Sequence, residues 1–113
     1  MLGDLAEGLL GNTDSMVMTE DSVDEQPRAV QRVAASYPNR ARQRGVTGFV
    51  ALRILVGADG TVRDQRVEEA EPAGVFEDSA LEAVRQWSFE PARYHGQPVR
   101  AWARLVVRFD LDG

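Results

Sequence analysis

Val99-Arg100-Ala101-Trp102-Ala103-Arg104-Leu105-Val106-Val107-Arg108-Phe109-Asp110-Leu111 lies at the end of the chain, and its alternation decides the fold. The odd positions, Val99, Ala101, Ala103, Leu105, Val107, Phe109 and Leu111, are all apolar. The even positions carry Arg100, Trp102, Arg104, Val106, Arg108 and Asp110. Successive side chains of a strand point to opposite faces, so a period of two this long predicts one face in a core and the other in water. A terminal strand with arginines on its wet face is expected at a sheet edge. Such an edge is either blunted against association or used to bind another strand.

Upstream, Phe49 to Val56 repeats the alternation with Val50, Leu52, Ile54 and Val56 on one face. Asp59-Gly60 is a strong hairpin signal, and a return strand is predicted over Thr61 to Ala70. Val62 and Val67 fall on opposite parities there, which predicts a bulge. Phe76, Ala80, Ala83, Val84 and Trp87 have the spacing of one helical face. A first short helix is expected over Asn39 to Arg44, with Ser36 capping, Pro38 in the first turn and Gly45 ending it. Residues 27–36 are expected to be extended and anchored by Val30 and Val33. Tyr94 to Pro98 reads as a loop into the last strand. The fold class that follows is α+β: a small antiparallel sheet of three strands with two helices on one face, in the order α-β-β-α-β.

The chain has 113 residues and a formal net charge of −5, unevenly divided. Residues 1–26 hold seven acids and no base, whereas residues 27–113 hold eleven acids and thirteen arginines. An acidic, mostly disordered leader over 1–26 is therefore expected ahead of a slightly basic domain over 27–113, with some order near Met16–Met18 through docking. No stretch approaches the ~20 apolar residues of a membrane span, and Met1 to Leu10 lacks the basic start of a signal peptide. The chain is thus expected to be cytoplasmic, or a fragment whose targeting segment lies upstream.

Parts for chemistry are scarce. There is no cysteine, so a disulfide framework and a thiolate zinc site are excluded, and one histidine, His95, is a poor basis for another metal site. His95 reads as a solvated turn residue with no nucleophile beside it. Glu68, Glu69 and Glu71 read as a solvated rim, since neighbours on a strand face opposite sides. Arg44-Gly45-Val46-Thr47-Gly48-Phe49-Val50 partly matches an RNA-binding pattern but lacks its stacking aromatics, so no nucleic acid is expected. Asn39 and Arg40 could cradle a phosphate in a small α+β hydrolase, the competing class of function. The sequence is otherwise read as non-enzymatic, with no catalytic residue, no metal and no cofactor.

Taken in order, Tyr37-Pro38-x-x-Ala41, Gly45-Val46-x-Gly48-x-Val50, Asp59-Gly60-x-Val62, Val67, Pro72 and Phe76 form a linked series. Ala80, Ala83-Val84, Trp87-x-Phe89-x-Pro91, Gly96-x-Pro98-Val99 and Phe109 complete it. This series resembles the C-terminal domain of the TonB family of energy transducers over residues 27–111. The resemblance implies a periplasmic domain attached to the inner membrane in the full-length protein. It implies partnership with ExbB and ExbD through an N-terminal membrane segment missing here, so that the chain is expected to be an excised domain. It further implies that the domain binds the TonB box of TonB-dependent outer-membrane receptors by edge-strand addition, coupling proton-motive force to substrate uptake. Carried over by position, the peptide-binding residues are Gln97, Arg100, Trp102, Arg104, Val106 and Arg108 on the edge strand, with Ser36 and Tyr37 close by. The alternative is a TonB-like binding domain of an envelope sensor or other envelope-spanning protein. An exposed edge also makes a homodimer an expectation. Gln65, where the family usually has an apolar residue, and Ser36, ahead of Tyr-Pro, depart from the pattern.

Overall fold

The computed structural model describes residues 17–18 and 22–111. The acidic leader expected over 1–26 therefore lies mostly outside the described residues. Among the described residues nine strands and helices follow one another: β1 (Val17–Met18), β2 (Arg28–Gln31), α1 (Asn39–Arg44), β3 (Gly48–Val56), β4 (Val62–Glu71), α2 (Glu77–Val84), β5 (Ser88–Glu90), β6 (Ala92–Tyr94) and β7 (Gln97–Phe109). The α-β-β-α-β core of the expected order is present as α1, β3, β4, α2 and β7. The single three-stranded sheet is not. A five-stranded sheet runs β1-β7-β3-β4 with β6 also paired to β7, and β2 and β5 form a separate two-stranded sheet.

The central strand β3 is held on both sides, antiparallel to β4 and to β7. Its even residues Val50, Leu52, Ile54 and Val56 are fully buried and share one cluster with Ala41 of α1 and with Phe76, Ala80 and Val84 at α2. Burial of such side chains, at about 1.5–3 kcal/mol each, is the main source of stability. Phe76 stacks on Phe109 at 4.3 Å between ring centroids, and Tyr37 meets both rings edge-on at 5.5 and 5.9 Å. These edge-to-face contacts suit the ring quadrupoles.

Local chemistry explains the punctuation. Gly60 adopts φ +87°, its N–H donates to the Gly57 carbonyl, and the Asp59 carboxylate accepts from Thr61 N–H and Oγ1. A Cβ on Gly60 would also lie 2.1 Å from the Phe89 carbonyl oxygen, so both conformation and contact demand glycine. Beyond this turn β4 carries two register shifts, which leave Arg63 and Glu68 as the extra residues. The parity conflict of Val62 and Val67 is thereby resolved. Gln65 pairs with Ile54, is half-buried, and donates from Nε2 to the Leu81 carbonyl of α2 at 3.3 Å.

Several expectations are corrected. Pro38, not Ser36, occupies the cap position of α1, and no side chain caps it. Gly45 ends that helix at φ +69°, as its position predicts. Val30 is 57% exposed and anchors nothing, while its neighbour Ala29 packs on the core. The helix α2 is shorter than the apolar spacing suggests, because Phe76 stands at its cap and Trp87 beyond its end. The expected loop before the last strand is a hairpin. His95 and Gly96 both have positive φ, 53° and 80°, the mirror-image turn that matches strand twist. That hairpin starts β7 at Gln97, two residues earlier than the alternation indicated.

Candidate functional site

In β7 the alternation holds as far as Phe109: Val99, Ala101, Ala103 and Phe109 are buried and Arg104, Val106 and Arg108 exposed, whereas Leu111, expected inward, lies beyond the strand and is exposed. Which way its backbone groups point follows from the register. In antiparallel pairs, hydrogen-bonded and non-bonded positions alternate. Arg93 exchanges backbone hydrogen bonds with Glu25, so it does not bond its cross-strand partner Pro98, which has no N–H to give. The bonded positions of β7 toward β6 are therefore Gln97 and Val99. On β3, Gly57 N–H donates to Thr61, which directs the odd positions of that strand at β4 and the even ones at β7. Those even residues face Ala101, Ala103, Leu105, Val107 and Phe109 in the order Val56 to Gly48. Both routes agree: odd residues of β7 bond inward, to β6 and β3 laid end to end. Even residues turn their N–H and C=O groups to the opposite side.

On that outer side β1 runs parallel to β7, with Val17 opposite Arg100 and Met18 opposite Ala101. Among the described residues no strand covers it from the Trp102 carbonyl to Phe109. The Met18↔Ala101 pairing takes the Trp102 N–H, so the row open to solvent consists of the N–H groups of Arg104, Val106 and Arg108 and the C=O groups of Trp102, Arg104, Val106 and Arg108, about 20 Å long. The sequence-predicted residues divide accordingly. Arg100 lies in the same row but is taken by β1, and Gln97 is exposed at the hairpin end with its backbone aimed at β6.

The face beside the row is electrostatically organised. Arg53 and Arg104 stand directly opposite each other on β3 and β7, a repulsive pair by itself. The bulge residue Glu68 lies between them and accepts from Arg53 Nε and Arg104 Nε, each at 2.9 Å. Those two hydrogen bonds, Arg53 first, hold its carboxyl below the usual carboxylate range. Arg66 lies over the Trp102 ring at 5.1 Å. Arg108 forms no ion pair among the described residues.

At the far end of the row a groove of about 560 Å³ opens between β7 and the chain ahead of α1. Val106 and Arg108 form one wall, Val33 and Tyr37 the other, and Trp87 lies at its side. Tyr37 is half-buried there, its hydroxyl donating to the Val46 carbonyl and its ring covered by Arg42 at 5.7 Å. Trp87 Nε1 donates to the Val33 carbonyl at 2.9 Å and fixes the segment, while Arg32 lies over its ring at 5.5 Å. Ser36 is exposed and lines a neighbouring groove with Glu82 and Gln86. The structure therefore joins Tyr37, Val106 and Arg108 and leaves Ser36 outside. Sequence reasoning missed Arg32, Val33 and Trp87 as lining residues, since Trp87 lies fifty-four positions from the carbonyl it holds.

Two helices packed on antiparallel sheet, with one long strand open along its outer side, define a small α+β domain built around a strand edge. The chain belongs to the TonB C-terminal family: the family described as Gram-negative bacterial TonB protein C-terminal matches residues 33–111. Protein TonB of Vibrio cholerae is 34% identical over 91 residues, which cover 80% of this chain and 37% of that protein. Protein TonB of Klebsiella pneumoniae is 36% identical over 87 residues, or 77% of this chain and 34% of that protein. The chain thus spans about a third of the length of these curated relatives. In three dimensions it is similar to the solution structure of the Pseudomonas aeruginosa TonB C-terminal domain, with a TM-score of 0.66 and 27% identity, covering 80% of this chain and 91% of that one. The Vibrio anguillarum TonB2 structure superposes with a TM-score of 0.59 at 31% identity, covering 80% of this chain and 86% of that one. Among the described residues no helix is long and apolar enough to cross a membrane.

Proposed function

We propose that this domain binds the TonB box of TonB-dependent outer-membrane receptors by adding that extended segment as a strand to the outer side of β7. In this reading the domain works in the periplasm and couples inner-membrane proton-motive force to substrate uptake, with ExbB and ExbD engaged through a membrane segment of the full-length protein. The observation that carries the proposal is the row of outward N–H and C=O groups at Trp102, Arg104, Val106 and Arg108, ending in the Tyr37 groove. Backbone pairing asks little of the partner's sequence, and four or five such bonds at about 0.5–1.5 kcal/mol net each favour weak, reversible capture once association costs are met. Several parallel bonds would also share a load applied along the strand.

The test is a titration of the isotope-labelled chain with a synthetic TonB-box peptide, followed by amide chemical shifts. The largest shifts are expected at Trp102 to Arg108 and around Ser36–Tyr37. Shifts confined to α2 would refute edge addition.

A further inference from the structure

The open row stops at Trp102 because part of this chain already lies beside it. Val17–Met18 pairs in parallel with Arg100 and Ala101 on the same outer side. Met18 is half-buried against a small apolar cluster of Ala92, Val99 and Ala101, together with Val23 and Tyr94. Just downstream the chain is fastened. Asp24 N–H and Glu25 N–H donate to the Arg93 carbonyl at 2.8 and 3.2 Å, Arg93 N–H donates to the Glu25 carbonyl at 3.0 Å, and the Asp24 carboxylate accepts from His95 N–H at 2.6 Å.

We propose that Val17–Met18 is a resident competitor for the β7 edge, seated on its Arg100–Ala101 end and displaced when an incoming strand extends along the row. The proposal rests on the strand-addition reading above. Three observations favour a displaceable occupant from this chain. The strand is only two residues long, and so short a pairing is marginal without support. The anchor at Asp24–Glu25 keeps it at high local concentration, so a weak contact suffices to occupy the edge. Residues 1–26 carry seven acids and no base, and Val17 stands opposite Arg100, so the pairing is electrostatically favoured and weakens with salt. Displacement also uncovers the Ala92–Val99–Ala101 cluster, giving a longer partner an apolar seat that a strand confined to Trp102–Phe109 does not reach.

The experiment uses the whole chain as wild type, Met18→Pro and Met18→Leu, each titrated with the synthetic TonB-box peptide. The register aims the Met18 N–H at the Arg100 carbonyl, and proline removes it while leucine keeps it. Peptide Kd is expected to fall about fivefold in Met18→Pro, in keeping with loss of one or two backbone hydrogen bonds from the competitor, and to stay at the wild-type value in Met18→Leu. In wild type, nuclear Overhauser contacts between Met18 and Ala101 backbone protons should vanish at peptide saturation. If those contacts persist at saturation, or Met18→Pro binds no tighter, the competitor is refuted while shifts at Trp102–Arg108 still uphold strand addition. If no shifts occur at Trp102–Arg108 in any of the three proteins, strand addition itself fails and the competitor with it.

Discussion

Adjacent valines on β7 offer a sharp test of the edge, because the register gives them opposite backbone duties. Val106 is 40% exposed and turns its N–H outward, whereas Val107 pairs with Val50 and turns its N–H to β3. Proline at either position removes one donor, but only one of those donors holds the sheet together. Val106→Pro should leave the domain folded, with a Tm change of a few degrees at most. It deprives an incoming strand of one hydrogen bond, about 0.5–1.5 kcal/mol, and leaves a peptide carbonyl unsatisfied at about 1–3 kcal/mol more. Together these amount to about 1.5–4.5 kcal/mol, so peptide Kd should rise by at least about tenfold. Val107→Pro instead breaks the β3–β7 ladder inside the core, at about 3 kcal/mol, with a Tm fall on the order of 15 °C. Thermal melts and peptide titrations by fluorescence anisotropy on both variants give the four numbers needed. A folded Val106→Pro domain with unchanged affinity would refute strand addition at this edge. The reverse pattern, an unfolded Val106→Pro and an intact Val107→Pro, would refute the register.

Three further outcomes are expected. Gly60→Ala forces a side chain into positive φ with its Cβ 2.1 Å from the Phe89 oxygen, and urea melts should show a loss of about 2–4 kcal/mol. Phe76→Ala empties a fully buried, ring-stacked position and should cost about 3–5 kcal/mol in the same assay, with near-ultraviolet circular dichroism weakened as Tyr37 and Phe109 lose their neighbour. Glu68 has its folded-state carboxyl pKa held low by Arg53 and Arg104, so its contribution is present above the unfolded-state carboxylate pKa and is lost as pH falls through the folded one. Glu68→Gln should therefore flatten the acid limb of a Tm–pH profile and lower Tm at neutral pH in low salt. Added salt should remove the difference, since the residue is solvent-exposed; a salt-independent difference would contradict the account.

Much of the scaffold was legible because short-range patterns carry it. The alternation of Phe49–Val56 and Val99–Leu111, Asp59-Gly60 before a return strand, and Gly45 after a helical run each depend only on neighbouring residues. The bulge at Arg63 in β4 was announced by the parity of Val62 and Val67, whereas the second, at Glu68, had no such signal. The errors lie where a long-range partner outvotes local pattern. Ser36 is a good cap by type, yet the Tyr37 hydroxyl is committed to Val46, and Pro38 takes the cap position. The β2–β5 sheet joins segments fifty-seven residues or more apart, and neither strand has alternation long enough to announce itself.

The site divides in the same way. Local periodicity alone determined that a long half-buried strand lies near the end of this chain, with arginines on its solvent face. It could not say which backbone groups of that strand are satisfied, because hydrogen-bond direction is set by the neighbours' register and not by the side chains. Only the tertiary structure decided that β3 and β6 take one side of β7, that Val17–Met18 takes a small part of the other, and that among the described residues the stretch from the Trp102 carbonyl to Arg108 remains open there.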